Sequence, residues 1–175
     1  MPSSSTSSCP FCTISQAHPP SSTPSHNHEL TDPPSFVVLS TPLVLAFLDI
    51  LPLAPGHLLV TTRQHHEKIS DVSEEEAVEL GRWLPRLSRV SARVGEVWDW
   101  NIVQNNGAAA AQVVPHVHFH LIPRPGLTPE LRNRSFTMFG RGQRTELDDE
   151  EAVVLARKLR DELRKEIARL EGGKL

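Results

Sequence analysis

The sequence predicts an α+β domain on an antiparallel sheet of about five strands. Three features point there: short runs rich in β-branched and aromatic residues, tight proline- or glycine-bearing turns between them, and two long segments whose apolar residues recur at helical spacing. The first strand is expected over 36–40 and the second over 43–50, with Pro42 marking the turn. A second turn runs from Pro52 to Gly56, and a third strand covers 57–62. Ser73 and Glu76 form an S-x-x-E capping box, after which Ala77, Leu80, Leu84, Leu87, Val90 and Val94 mark an amphipathic helix that Pro85 should kink. Strand character returns over 98–104, a glycine- and alanine-rich loop follows over 105–112, and the last strand carries the histidines of 116–120. A second helix spans 149–170, with Ala152, Leu155, Leu159, Leu163, Ile167 and Leu170 as its stripe and Gly172-Gly173 ending it. Its mixed charges read as a solvated face.

At 175 residues the chain fits one domain with enough material for a core. A net charge of −3 argues against nucleic-acid or membrane binding through bulk electrostatics. Residues 1–30 hold no long apolar run, so neither a secretory signal nor a membrane span is expected, and the expected location is cytoplasm, nucleus or both. The serine-dominated residues 1–8 read as a disordered tail. Residues 13–35, rich in Ser, Pro and Thr, cannot bury enough apolar surface to offset ordering and read as a flexible insert. The main domain is then 9–125, with a basic loop around Gly140, Arg141 and Arg144 and the C-terminal helix over 126–175. Two cysteines make no disulfide framework, but Cys9-Pro10-Phe11-Cys12 has the spacing of a redox pair or half a metal site.

The chemistry concentrates in Pro115-His116-Val117-His118-Phe119-His120-Leu121. Alternate side chains of a strand share a face, so the three imidazoles line up about 6.6 Å apart while Val117, Phe119 and Leu121 face a core. Imidazole is the side chain that acts as nucleophile, base or acid near neutrality. A catalytic zinc held by H-x-H is one reading, although residues 112–115 and 121–124 offer no carboxylate to serve as base or ligand. The other is nucleophilic: the middle histidine attacks an electrophile, and phosphorus suits it because nearby N–H donors stabilise the phosphoryl charge.

His-Val-His-Phe-His-Leu-Ile resembles the signature of the histidine-triad (HIT) nucleotide hydrolases and transferases. Leu45–Ile50 followed by Ala54–Val60 resembles that family's nucleotide pocket, Cys9–Cys12 its amino-terminal C-x-x-C, and Gln104–Gly107 its pre-triad loop. Within the family the chain is most similar to the Hint-type nucleoside phosphoramidases, and especially to fungal members. The resemblance implies a HIT-like fold with two main helices plus an extra C-terminal helix, and hydrolysis at the α-phosphate of an adenosine-type nucleotide, with adenosine 5'-phosphoramidate the expected substrate. The Fhit-like dinucleoside polyphosphate hydrolases and a weakly catalytic nucleotide-binding regulator are the alternatives.

The same resemblance implies roles. His118 is the nucleophile that forms a nucleotidyl-histidine, His120 assists the leaving group, and His57 orients the triad. Asp49 accepts from the ribose hydroxyls, Phe47 and Ile50 wall the base, and Asn105 and Gln112 contact ribose or phosphate. Cys9, Cys12, His65 and His116 match the residues of a structural zinc site, with His66 a substitute for His65 if the register slips by one. A homodimer and a purine nucleotide are the implied partners. The chain departs from the family at Val113, where a hydroxyl residue is usual, and at Pro115.

Overall fold

A computed structural model describes residues 9–126 and 146–172, so the expected tail over 1–8 and the basic loop lie outside the described residues. Three strands lie at the centre of the sequence's most apolar stretch: β1 (Val37–Ser40), β2 (Val44–Leu48) and β3 (Leu58–Thr62). Every residue in them is buried, because both faces of this part of the sheet are covered. That double cover explains why they read as continuous apolar runs instead of alternating. β4 (Trp100–Gln104) and β5 (His118–Pro123) complete a five-stranded antiparallel sheet in the order β1-β2-β3-β5-β4.

The register sorts side chains onto two faces. Val37, Phe47, Leu59, His120 and Val103 are directly opposed across the five strands, and Leu45, Thr61 and His118 form the next row. Opposed residues share a face. The intervening row, Ala46, Val60 and Phe119, points the other way, where it meets α2 (Glu74–Gly95) and α3 (Asp149–Gly172).

Helix α2 begins as its sequence dictates. Ser73 Oγ accepts from the Glu76 amide at 3.3 Å, and Glu76 Oε2 accepts from the Ser73 amide at 3.1 Å. It runs unbroken through Pro85, and buries Leu80, Leu87 and Val90 together with Trp83; Ala77 is exposed. In α3 the expected stripe holds at Ala152, Leu159 and Leu163, while Leu170 is exposed. The polar face is less solvated than expected, because Arg160 and Glu166 are buried. Glu166 accepts from Arg89 at 2.5 Å and Arg93 at 2.7 Å, which ties α3 to α2.

Residues 13–35, expected as a flexible insert, contain ordered elements. Pro10–Ala17 forms α1, opened by Pro10 in the first turn, where a missing amide costs nothing. Phe11 and Cys12 are buried against the sheet, and the residues that follow are tied down by tertiary hydrogen bonds. Arg63 donates to the Ser15 carbonyl at 2.6 Å, the His18 carbonyl at 2.9 Å and Ser40 Oγ at 2.6 Å. His18 is buried against Ser35, and the Ser21 amide bonds the Ser40 carbonyl at the β1 edge.

Candidate active site and metal centre

The ladder of β5 begins at His118, opposite Thr61, so the expected row of three histidines on one strand is two plus a preceding turn residue. His116 lies just before the strand and is buried. Its carbonyl accepts a 2.6 Å hydrogen bond from His118 Nδ1. That bond assigns the proton to Nδ1 and leaves Nε2 as the basic nitrogen of His118. His118 is buried, not exposed, and burial pushes its pKa down, against the opposing pull of the His116 carbonyl and the Asp49 charge. A neutral imidazole with a free Nε2 is the form that attacks an electrophile.

His120 stands beside it, with ring centroids 4.9 Å apart. Behind His120 lies fully buried His57, whose Nε2 is 3.0 Å from His120 Nδ1. His57 Nδ1 accepts from the Leu53 amide at 3.2 Å, so in neutral His57 the proton sits on Nε2 and is donated to His120 Nδ1. His120 is therefore held with its own proton on Nε2. Asp49 Oδ2 lies 3.5 Å from His57 Nδ1, placed to take over that nitrogen if His57 becomes charged. Asp49, His57 and His120 also offer ligand atoms within 4.8 Å of one another. Both His57 nitrogens are already engaged, Nδ1 by the Leu53 amide and Nε2 by His120.

His118 and His120 line a cavity of about 670 Å³ that also takes in Phe47, Asp49, Ile50 and Asn105. The volume is that of a small-molecule site. Asp49 Oδ1 accepts from the Leu51 amide at 2.9 Å, which fixes the carboxylate at the end of β2.

On the other side of His118, four ligand atoms from Cys9, Cys12, His65 and His116 lie within 4.8 Å of one another. Cys9 Sγ is 3.3 Å and Cys12 Sγ 3.6 Å from His116 Nδ1, and Cys12 Sγ is 3.4 Å from His65 Nδ1. A tetrahedron built on ordinary Zn–S and Zn–N bonds has edges of about 3.3–3.8 Å, so the set fits that ion. The donor chemistry fits as well. Burial, and then the neighbouring Cys9, push the Cys12 thiol up to about 12, and burial pulls His116 down to about 4. Paired thiols so placed ionise only onto a cation. His116 Nε2 lies 2.9 Å from the Thr62 carbonyl, which turns Nδ1 toward the sulfurs.

Residues 31–127 match the family model described as the HIT domain. The chain belongs to the HIT family. It is 42% identical over 94 residues to the adenosine 5'-monophosphoramidase hnt1 of Schizosaccharomyces pombe, covering 54% of this chain and 68% of that protein. It is 32% identical over 146 residues to the adenosine 5'-monophosphoramidase HNT1 of Candida albicans, covering 81% and 89%. A weaker match, 34% over 90 residues covering 51% and 50%, is to the asymmetrical bis(5'-nucleosyl)-tetraphosphatase of S. pombe. Two solved structures share the fold at 24% identity. One is a hypothetical histidine triad nucleotide-binding protein from Sulfolobus tokodaii (TM-score 0.70; 90% of this chain and 93% of that chain). The other is a Zn-bound histidine triad family protein from Mycobacterium smegmatis (TM-score 0.68; 94% and 99%).

Within this HIT domain the structure separates residues that the sequence left together. His65, not His66, reaches the cysteines; His66 Nε2 is engaged by Glu76 at 2.9 Å, which places it at the start of α2. Gln112, expected on ribose or phosphate, is turned inward. Its Oε1 accepts from the Gly107 amide at 2.6 Å and its Nε2 donates to the Glu67 carbonyl at 2.7 Å, so it shapes the loop and does not line the cavity. Val113 does line it and is 89% exposed, an apolar group at the mouth. Phe11 was not anticipated. Its ring packs edge-on against Phe47 (5.4 Å), His116 (5.7 Å) and His118 (5.1 Å), joining the cysteine cluster to the candidate nucleophile. The apolar residue inside C-x-x-C was the only hint of it.

Proposed function

We propose that the protein hydrolyses adenosine 5'-phosphoramidate and related nucleotides through a nucleotidyl-histidine on His118. The observation that carries this reading is the pair of opposite tautomers on His118 and His120. One ring offers a lone pair on Nε2 and its neighbour a proton on Nε2, in one cavity. His118 Nε2 attacks the α-phosphorus as the P–N bond to the leaving amine breaks. His120 gives its Nε2 proton to the departing nitrogen as its Nδ1 takes one from His57 charged against Asp49, so both rings end neutral. Water then attacks the phosphorus with His120 as base, and the P–N bond to His118 breaks to release the nucleoside monophosphate. Asp49 accepts from the ribose hydroxyls and Phe47 and Ile50 wall the base. Val113 has no proton to give, so His120 is the donor in this chain.

The names of the S. pombe and C. albicans relatives support the substrate class. The tetraphosphatase relative supports dinucleoside polyphosphate hydrolysis less strongly, since only half of that protein is covered. Incubation with adenosine 5'-phosphoramidate should yield AMP, and acid-labile nucleotidyl-protein should appear on rapid quench. His118→Ala should abolish both while leaving fold and nucleotide binding largely intact; comparable turnover by that variant removes His118 as nucleophile.

We also propose a structural zinc on Cys9, Cys12, His65 and His116, a closed set with no open position for substrate. The reading of a homodimer draws support from β4, an edge strand that leaves Trp100 and Ile102 exposed, with exposed Trp98 just before it. An apolar edge of this kind is covered by pairing with a second copy.

A further inference from the structure

A second cavity, of about 410 Å³, lies far from the histidines, where residues 20–24 pass the β1 edge and α3. Leu39, Trp83, Leu163 and Ile167 contribute apolar walls, and among the described residues its charged wall residues are Arg160 and Arg164. Arg160 is 6% exposed, and its single hydrogen bond among the described residues is from Nη1 to the Val37 carbonyl at 2.7 Å. Its Nε is buried without a partner, and no ion pair to it is seen among the described residues. Burial, then the Arg164 charge, depress its pKa, with Asp161 only partly offsetting them and Arg157 adding to the repulsion. Arg164 is half-exposed and bonded to Asp161. Among the described residues no carboxylate is bonded to this buried guanidinium: Arg is a planar fork of donors suited to carboxylate, and the Val37 carbonyl uses one prong of it. The volume falls in the range of small-molecule sites.

We propose that this cavity binds a small amphipathic carboxylate, its aliphatic tail against Leu39, Trp83, Leu163 and Ile167 and its head on Arg160 and Arg164. The inference is independent of the reading of the histidine site, because no wall residue is shared. The Ser/Pro-rich stretch closes one side of the cavity through Pro20, Ser21 and Pro24, while the tail walls come from β1, α2 and α3.

Calorimetric titration of the full chain with decanoate tests it, with decanol supplying the tail without charge and acetate the charge without tail. One saturable decanoate site per chain is expected, with decanol at least about tenfold weaker and acetate silent. Arg160→Gln should weaken decanoate by about ten- to a hundredfold, the worth of a charge-assisted hydrogen bond. Should that variant fail to fold, the half-exposed Arg164→Gln carries the same test with a smaller loss of about tenfold. Ile167→Trp should fill the cavity and abolish binding, with nucleotide hydrolysis unchanged. No saturable heat in the wild type overturns the proposal. So does decanol binding as tightly as decanoate, or decanoate affinity unmoved by the arginine and Ile167 changes.

Discussion

Replacing Cys9 and Cys12 together by serine should release the metal and lower thermal stability while sparing hydrolysis. A cation shared by Cys12 and His65 closes a loop across 53 residues, and Cys9 to His116 spans 107. Treated as a cross-link, the shorter closure alone removes loop entropy worth about 4 kcal/mol from the unfolded chain. For a protein of this size each kcal/mol moves Tm by about 2–4 °C, so the drop should be roughly 8–16 °C. Helix α1 would still be held by the Arg63 hydrogen bonds to Ser15 and His18. His118 would keep its ladder position opposite Thr61, whose Oγ1 donates to the Val117 carbonyl at 2.6 Å. Turnover measured below the new midpoint should therefore persist. Elemental analysis and scanning calorimetry on wild type and variant decide the matter. A wild type without bound metal, or complete metal loss with a Tm change under about 2 °C, refutes the clip. Immediate loss of turnover on chelation in a still-folded protein would instead place the metal in the reaction.

His57→Leu removes the donor that fixes His120, so kcat should fall by about 10²–10⁴-fold with KM little changed, and an unaltered kcat would dismiss the relay. Glu166→Gln should cost about 1–3 kcal/mol at neutral pH by leaving Arg89 and Arg93 short of a buried charge, read by urea denaturation. Its arginine partners hold the Glu166 pKa at about 2, below that of an unfolded carboxylate. The contribution is thus present above about pH 4.3 and fades as pH falls toward 2, so the gap between wild type and variant should close in acid. Ile102→Lys on the exposed β4 edge should convert a particle of about twice 19.5 kDa into one of 19.5 kDa by light scattering. A wild type that is monomeric at every concentration would contradict the paired edge.

What the sequence determined by itself is what short-range chemistry encodes. Period-3.6 stripes with a capping box wrote α2, and the apolar runs with Pro and Gly turns wrote β1, β2 and β3. The H-x-H-x-H and C-x-x-C spacings named the groups worth watching. Tertiary structure decided what depends on partners remote in the chain. Residues 10–17 are too few to show a helical period, and they become helix because Phe11 finds Phe47 and the histidines while Arg63 binds the carbonyls at the helix end. His65 and His66 are locally equivalent, and the choice falls to Cys12 on one side and Glu76 on the other. Gln112 is drawn inward because the Gly107 amide and the Glu67 carbonyl need partners once the loop closes, a demand invisible along the chain. The tautomers of His118 and His120 are set the same way, by a carbonyl two residues back and by a ring 63 positions away. Sequence specifies which groups exist and the period at which they recur. Which nitrogen carries the proton depends on what the completed fold leaves beside it.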